Sequence, residues 1–206
     1  MKTSALIMNQ ARELFNQHGI MQITLRDVAA ALNKSYGNIT YHFAGKAELL
    51  TALIHEYEIG MANIGAAFVT HDNLFAQLLQ APLLSFEVEF QYRFLLNDFL
   101  EIQRNFPELL LQTQNRQQER MTAYLQWLQK LQHDGYLRPE LPEAQLRMLM
   151  KLSGLLRTFF FMQINTALPL TTLKKQYHHE LNALLWPYLT PGGQQELATF
   201  ESTQTD

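Results

Sequence analysis

The chain has no cysteine in its 206 residues. That excludes disulfides, thiolate metal sites and thiol-based redox sensing, and it fits a reducing cytoplasm. Charge is also scarce, at 17% of residues against 47% hydrophobic, with a net charge of −3. Such a balance describes a chain able to bury a core and excludes one held open by its own charge. Seven prolines and nine glycines leave long stretches unpunctuated. No stretch alternates with a period of two for long enough to make a sheet, and no repeat or low-complexity segment interrupts the pattern. Long hydrophobic runs are missing too. Met1 and Lys2 lead into an apolar run at 5–8 that is too short for a signal-peptide core. The richest later stretch, 152–170, is interrupted by Arg157, Gln163 and Asn165 and reads as a buried or interface helix, not a membrane span. An all-α protein without a membrane segment is therefore expected, located in the cytoplasm.

What the chain does have is concentrated in residues 24–46. Thr24 is a good N-cap for a short helix whose apolar positions are Val28, Ala29 and Leu32. Asn33 tolerates the left-handed backbone that ends a helix. Ser35 caps a second short helix, in which Ile39 and Phe43, four apart, form the buried stripe. Tyr36, Asn38, Thr40, Tyr41 and His42 are left for other faces. A helix this short has little stability of its own, so its polar face is expected to serve a partner. The unit suits insertion of one helix end into a DNA groove. Charge distribution agrees: residues 1–50 carry five basic and three acidic groups, while the remainder carries eleven and sixteen. The positive excess lies on the DNA-facing end and the acidic bulk elsewhere.

This segment resembles the DNA-binding end of the TetR family of bacterial repressors. The likeness runs from the 11–15 core of the preceding helix, through Gly19 and the 24–29 helix, to the Tyr41-His42-Phe43 triplet, Lys46 and the Glu48-Leu49-Leu50 opening of the next helix. It covers about the first quarter of the chain. Two positions depart from the pattern: Asn33 replaces the usual turn glycine, and Thr40 stands where many members carry a phosphate-touching tyrosine. The resemblance implies that Arg26 contacts a base edge or phosphate, its guanidinium suiting guanine O6 and N7. It implies that Lys34, Ser35, Tyr36 and Asn38 reach bases and that Gly37 permits close backbone approach. Thr40, Tyr41, His42 and Lys46 match phosphate-contacting positions. Asp27, beside Arg26, reads as a first-turn acid favouring the helix dipole.

Beyond residue 46 the pattern is helix after helix. A long one is expected to 68. A short one capped by Thr70 or Asp72 should end at Leu79, broken by Pro82. Others are expected at 84–103, from Pro107 to a stop at Gly135, at 143–166 and at 170–186, with a short terminal helix opened by Thr190 and Pro191. The division expected is a helix-turn-helix DNA-binding domain at 1–46 and a helical effector-binding and dimerisation domain at 47–206.

In the 170–186 helix, Leu170, Leu173, Tyr177, Leu181, Leu184 and Tyr188 form a narrow seam at 3–4 spacing. The preceding helix, with Leu152, Leu156 and Phe160, is apolar over more than one face and needs two neighbours. These patterns fit either an internal helix pair or a second subunit. The resemblance favours the second subunit, giving a homodimer whose two recognition helices lie about one DNA turn, roughly 34 Å, apart on a palindromic operator. A middle cluster of Phe86, Phe90, Phe94, Asn97, Met121, Tyr124, Trp127 and Met162 could surround an apolar or aromatic effector, although each position also fits an ordinary core.

An enzyme is not expected. His178 and His179 are neighbours about 100° apart on a helix, not the i, i+4 pair of a zinc face, and His71-Asp72 and His133-Asp134 read as helix-end pairs. No nucleophile motif, phosphate loop or metal spacing is present, and no cofactor is expected. The reading that emerges is a sequence-specific transcriptional regulator, a repressor released from a DNA operator by a small molecule. The alternative is a DNA-binding protein of the same fold controlled by a protein partner or acting architecturally.

Overall fold

The computed structural model describes residues 3–68 and 73–203, the side chains of 66–68 and 110–117 excepted. Among the described residues there is no strand, only one isolated antiparallel bridge between Leu137 and Leu189. The helices are α1 (Thr3–His18), α2 (Leu25–Ala31), α3 (Tyr36–His42), α4 (Lys46–Phe68), α5 (Leu74–Gln91), α6 (Phe94–Asn97), α7 (Phe99–Asn105), α8 (Pro107–His133), α9 (Glu143–Gln163), α10 (Leu170–Leu185) and α11 (Pro191–Thr203), with a 3-10 turn at Trp186–Tyr188. The all-α class expected from the sequence is what forms.

The chain folds as two compact units. The first comprises Met1–Asn63 and Val88–Gln114, the second Ile64–Glu87 and Asn115–Asp206. The first unit is thus larger than residues 1–46. Its core stacks Ile7, Ala11 and Phe15, one per turn of α1, against Val28, Ile39, Leu49, Leu53 and Phe94. Polar groups fasten the later segment to the earlier one. Asn16 accepts from the Phe94 N–H at 3.0 Å and donates to the Gln91 carbonyl at 2.7 Å. Tyr92 Oη donates to Glu56 at 2.6 Å and accepts from Arg12 at 3.0 Å. Desolvation and the Glu56 carboxylate push that phenol up to about 12.

Two helix boundaries differ from expectation. Pro82 does not break α5, which runs through it. A proline at this position removes the N–H that would bond the Leu78 carbonyl, but the turn is held by burial of Leu78, Leu79 and Phe86 and by His178 Nε2, which lies 3.0 Å from the Leu79 carbonyl oxygen. The helix expected at 84–103 is instead divided among the end of α5, α6 and α7. The Asn16 amide occupies backbone groups on both sides of the Tyr92–Arg93 turn, giving the chain a local alternative to helix. The expected caps Thr70 and Asp72 lie outside the described residues; Asn73 Oδ1 accepts from the Phe75 and Ala76 N–H groups at 3.0 Å each.

The second unit gathers Phe75, Leu79, Leu128, Leu131, Leu146, Leu149, Leu185 and Leu197 into its core. A further aromatic group joins Phe86, Phe160, Phe161 and Tyr177, with ring centroids 5.1–6.5 Å apart.

Candidate functional site

The turn between α2 and α3 is built by local chemistry. Thr24 and Asp27 form a reciprocal capping box. The Asp27 N–H donates to Thr24 Oγ1 at 3.3 Å, and Asp27 Oδ2 accepts from the Thr24 N–H and hydroxyl at 2.7 Å each. These bonds hold the Asp27 carboxyl below its ordinary range. Asp27 therefore builds the helix start as well as balancing its dipole. Asn33 carries a φ of 52°, the left-handed conformation that ends α2. Ser35 Oγ then accepts from the Asn38 N–H at 3.2 Å to start α3.

One face of α3 is committed to the core through fully buried Ile39, with Phe43 just beyond its end. Lys34, Ser35, Tyr36, Gly37 and Asn38, which lead into and open α3, are all exposed. Tyr41 is 85% exposed, held edge-on against the half-buried His42 ring at 5.2 Å. An aromatic left this far in water on a short helix is available to a partner. The Arg26 guanidinium lies over the Tyr36 ring at 5.0 Å, which links α2 to the leading end of α3. Thr40 Oγ1 folds back onto the Tyr36 and Gly37 carbonyls at 3.2 and 3.3 Å. The Lys46 ammonium donates to the Ile20 carbonyl at 2.5 Å. Burial lowers its pKa, against the opposing pull of Asp27. Ten residues scattered between 26 and 46 thus lie on or beside one helix-turn-helix surface.

The effector residues divide differently. A cavity of about 300 Å3 in the second unit is lined by α5, α8, α9 and α10, and Met121, Tyr124 and Trp127 belong to it. Phe94 does not: it is buried in the first unit against Phe15, ring centroids 5.4 Å apart. Asn97 is an exposed residue at the end of α6, and Phe90 packs under the Arg93 guanidinium at 4.5 Å. Phe86 is buried among Phe160, Phe161 and Tyr177, and Met162 is 59% exposed on another face. Sequence reasoning missed Arg120, Ser153, Arg157 and Asn182, which also line the cavity. The signal was there for one of them, because Arg157 is the single cation in the apolar 152–162 stretch.

The seam on α10 is likewise corrected. Leu173, Tyr177 and Leu181 are at most 5% exposed within a single chain, so they face its own core and offer nothing to a second copy. Phe160 is half-buried in the aromatic group. An open apolar surface lies on α9, where Met148, Leu155, Phe159 and Met162 are each at least half exposed. With half-buried Leu152 they step by 4, 3, 4 and 3, and Leu156 and Leu184 join the same shallow groove.

Among the described residues no helix is long and apolar enough to cross a membrane, and no group of three or more His, Asp or Glu could hold a metal. His178 is engaged at Leu79 and Asn182, and His179 lies 3.5 Å from Glu201.

A helix-turn-helix head with a bare polar recognition face, on a chain that also carries a cavity-bearing helical unit, defines a DNA-binding transcription regulator. Residues 7–53 match the family described as bacterial regulatory proteins, tetR family, and residues 56–197 match TetR, bacterial transcriptional repressor. The chain belongs to the TetR family; it is a transcription regulator and not an enzyme. Among curated proteins none matches the sequence. The fold is similar to a TetR-family transcriptional regulator from Marinobacter aquaeolei VT8, at 25% identity and a TM-score of 0.86 over 99% of each chain. It also resembles the ketosteroid transcriptional regulator KstR2 of Mycobacterium tuberculosis (17% identity, TM-score 0.69, 92% of this chain and 96% of that one). The fatty acid degradation regulator FadR from Bacillus halodurans is similar as well (19%, 0.66, 86% and 93%).

Proposed function

We propose that the protein is a homodimeric repressor that covers a palindromic operator and leaves it when a small molecule occupies the cavity of its second unit. The observation that carries this reading is the recognition helix: Tyr41 at 85% exposure and the exposed run from Lys34 to Asn38 at its leading end, on a helix anchored in the core by Ile39. Tyr36, Asn38 and the Ser35 hydroxyl take the base edges, Arg26 a guanine or phosphate, and Thr40, Tyr41, His42 and Lys46 the backbone on either side. Close approach at residue 37 is eased by glycine: a side chain there would meet nothing of the protein nearer than 4.0 Å, so the space it leaves is open to DNA.

Dimerisation rests on the α9 stripe of Met148, Leu152, Leu155, Phe159 and Met162, a continuous apolar surface of the sort that a monomer rarely leaves in water. Two copies joined there bring two heads to successive major grooves. The cavity favours a small-molecule effector over control by a protein partner. Two structurally similar regulators take their names from ketosteroids and fatty acid degradation. Induction is then a coupling free energy, operator and effector each weakening the other.

The test is a titration of the purified protein on DNA from around its own gene against scrambled DNA, at two salt concentrations, with mass measured in parallel. Tight, salt-sensitive, selective binding by a dimer is expected. Equal affinity for both DNAs after selection from a random-sequence pool would sink the operator reading.

A further inference from the structure

We infer that Arg26 and Tyr36 act as one reading unit: the Tyr36 ring holds the Arg26 guanidinium at the leading end of α3, where its fork reads one guanine per half-site. In this reading, which rests on the operator assignment above, Arg26 meets a base and not a phosphate, and Tyr36 is a positioning residue that acts through it. The guanidinium carbon lies 5.0 Å from the centroid of the ring, a cation–π contact. Among the described residues nothing else claims Arg26. Its neighbour Asp27 is spent on the capping box, where it accepts from the Thr24 N–H and hydroxyl at 2.7 Å each. No carboxylate of the described structure forms an ion pair with Arg26. The first turn of a helix also disfavours a cation. Arg26 is exposed, and Tyr36 is 46% exposed. A cation that the fold neither neutralises nor buries suits an electronegative partner from outside.

Both halves of the contact stand on capped helix starts. Arg26 is the second residue of α2, whose first turn the Thr24–Asp27 box fixes. Tyr36 is the first residue of α3, which Ser35 caps, and the Tyr36 carbonyl accepts from Thr40 Oγ1 at 3.2 Å. The contact therefore ties a long, flexible side chain to a ring whose own backbone is set. Ordering an arginine on binding costs conformational entropy, and a partner that orders it beforehand removes part of that cost. Position decides between base and phosphate. In a helix-turn-helix the N-terminal residues of the recognition helix meet base edges, and a guanidinium held over Tyr36 shares that end. The planar fork matches guanine O6 and N7 together. Covering the pair with DNA excludes water, which strengthens a cation–π contact.

The experiment uses the intact protein and double-stranded DNA selected from a random-sequence pool, followed by single-base variants of the selected site. The preference for each base is taken as a ratio within one variant, so a general loss of affinity cancels. The parent should favour guanine by at least about tenfold at one position per half-site. Arg26→Ala should abolish that preference and leave the other positions as they were. Tyr36→Phe, which loses only the hydroxyl, should keep it, and Tyr36→Leu should cut it by at least about threefold at the same position. The Arg26→Ala, Tyr36→Leu double variant should be no worse there than Arg26→Ala alone, since the two residues act as one. Both side chains are exposed, so thermal midpoints should stay with the parent's. A guanine preference undiminished in Tyr36→Leu, or effects of the two residues at different positions, overturns the coupling. Uniform weakening on all DNA with Arg26→Ala makes that residue a phosphate contact and overturns the guanine assignment. A parent that selects no site sinks the operator reading and this unit with it, whereas a selected site with any of the other failures sinks the unit alone.

Discussion

Asp98 Oδ2 accepts a 2.6 Å hydrogen bond from the backbone N–H of Ile20, joining positions 78 residues apart. The bond fixes the turn after α1. Gly19 has a φ of 82°, and a Cβ there would stand 3.4 Å from the same carboxylate oxygen. Ile20 is fully buried, so its N–H has little recourse to water. Asp98→Ala should therefore destabilise the protein by about 1–3 kcal/mol, and Asp98→Asn by less because the amide oxygen still accepts. Urea unfolding with an unchanged slope checks this. An alanine variant within ~0.5 kcal/mol of the parent, the range of ordinary surface changes, would show that the turn holds without the carboxylate.

The exposed face of α3 separates positioning from base reading. Tyr41→Phe should weaken binding about equally on operator and scrambled DNA, since a phosphate contact carries no sequence information. Lys46→Ala should also lower the salt slope by about one unit per site. Because Lys46 also bonds the Ile20 carbonyl, its unfolding midpoint must be measured beside the DNA titration. Asn38→Ala, with no side-chain bond to lose from the described structure, should instead change preference at one base position per half-site by about 1–3 kcal/mol. A uniform loss with Asn38→Ala would move that residue to the backbone-contacting group.

The head was legible in the sequence because its determinants are local. Thr24 bonds Asp27, Ser35 bonds the Asn38 N–H, and Asn33 adopts its left-handed turn within a few residues of each. The body was less legible because distant residues decide it. Pro82 stays helical beside His178, which is 99 residues from its Leu79 contact, and α5 ends where Asn16 reaches across. Aromatic residues also look alike in sequence whether they wall a cavity or fill a core. Phe94 packs on Phe15 while Tyr124 lines the cavity, and nothing in their spacing distinguishes them. The periodicity of α10 marked a buried face correctly but could not say whether the same chain or another buries it.

The α9 stripe gives a direct test of assembly. Phe159 is 56% exposed and lies between Leu155 and Met162 on the same side. Phe159→Asp places a charge in that stripe without touching the buried core. It should leave the thermal midpoint of the isolated chain nearly unchanged and yield monomers at micromolar concentration, where the parent sediments as a dimer. DNA affinity should fall with it, since two half-sites are no longer held together. Tyr177→Ala is the contrast, because Tyr177 is 1% exposed; it should cost about 3–5 kcal/mol of stability through cavity formation. If Phe159→Asp still sediments as a dimer, the interface lies elsewhere.

His178 makes stability depend on acidity. Desolvation is the largest influence on its ring and lowers its pKa, opposed by the Leu79 carbonyl and the Glu201 carboxylate, with His179 adding to the lowering. Nε2 lies 3.0 Å from the Leu79 carbonyl oxygen and 2.8 Å from the Asn182 amide nitrogen, and charging the ring adds a second proton to it. The unfolded chain binds that proton near 6.5, and the folded chain only at a lower pH. The stabilising difference is complete above 6.5 and is lost as the pH falls from there toward the lower folded value. Thermal midpoints measured from pH 8 to pH 5 should consequently fall more steeply for the parent than for His178→Gln, which has no proton to take up. The difference between the two slopes carries the prediction, since the variant loses the Leu79 contact at every pH and starts from a lower midpoint. Parallel slopes between pH 7 and pH 5 would mean that His178 titrates alike in the folded and unfolded chains.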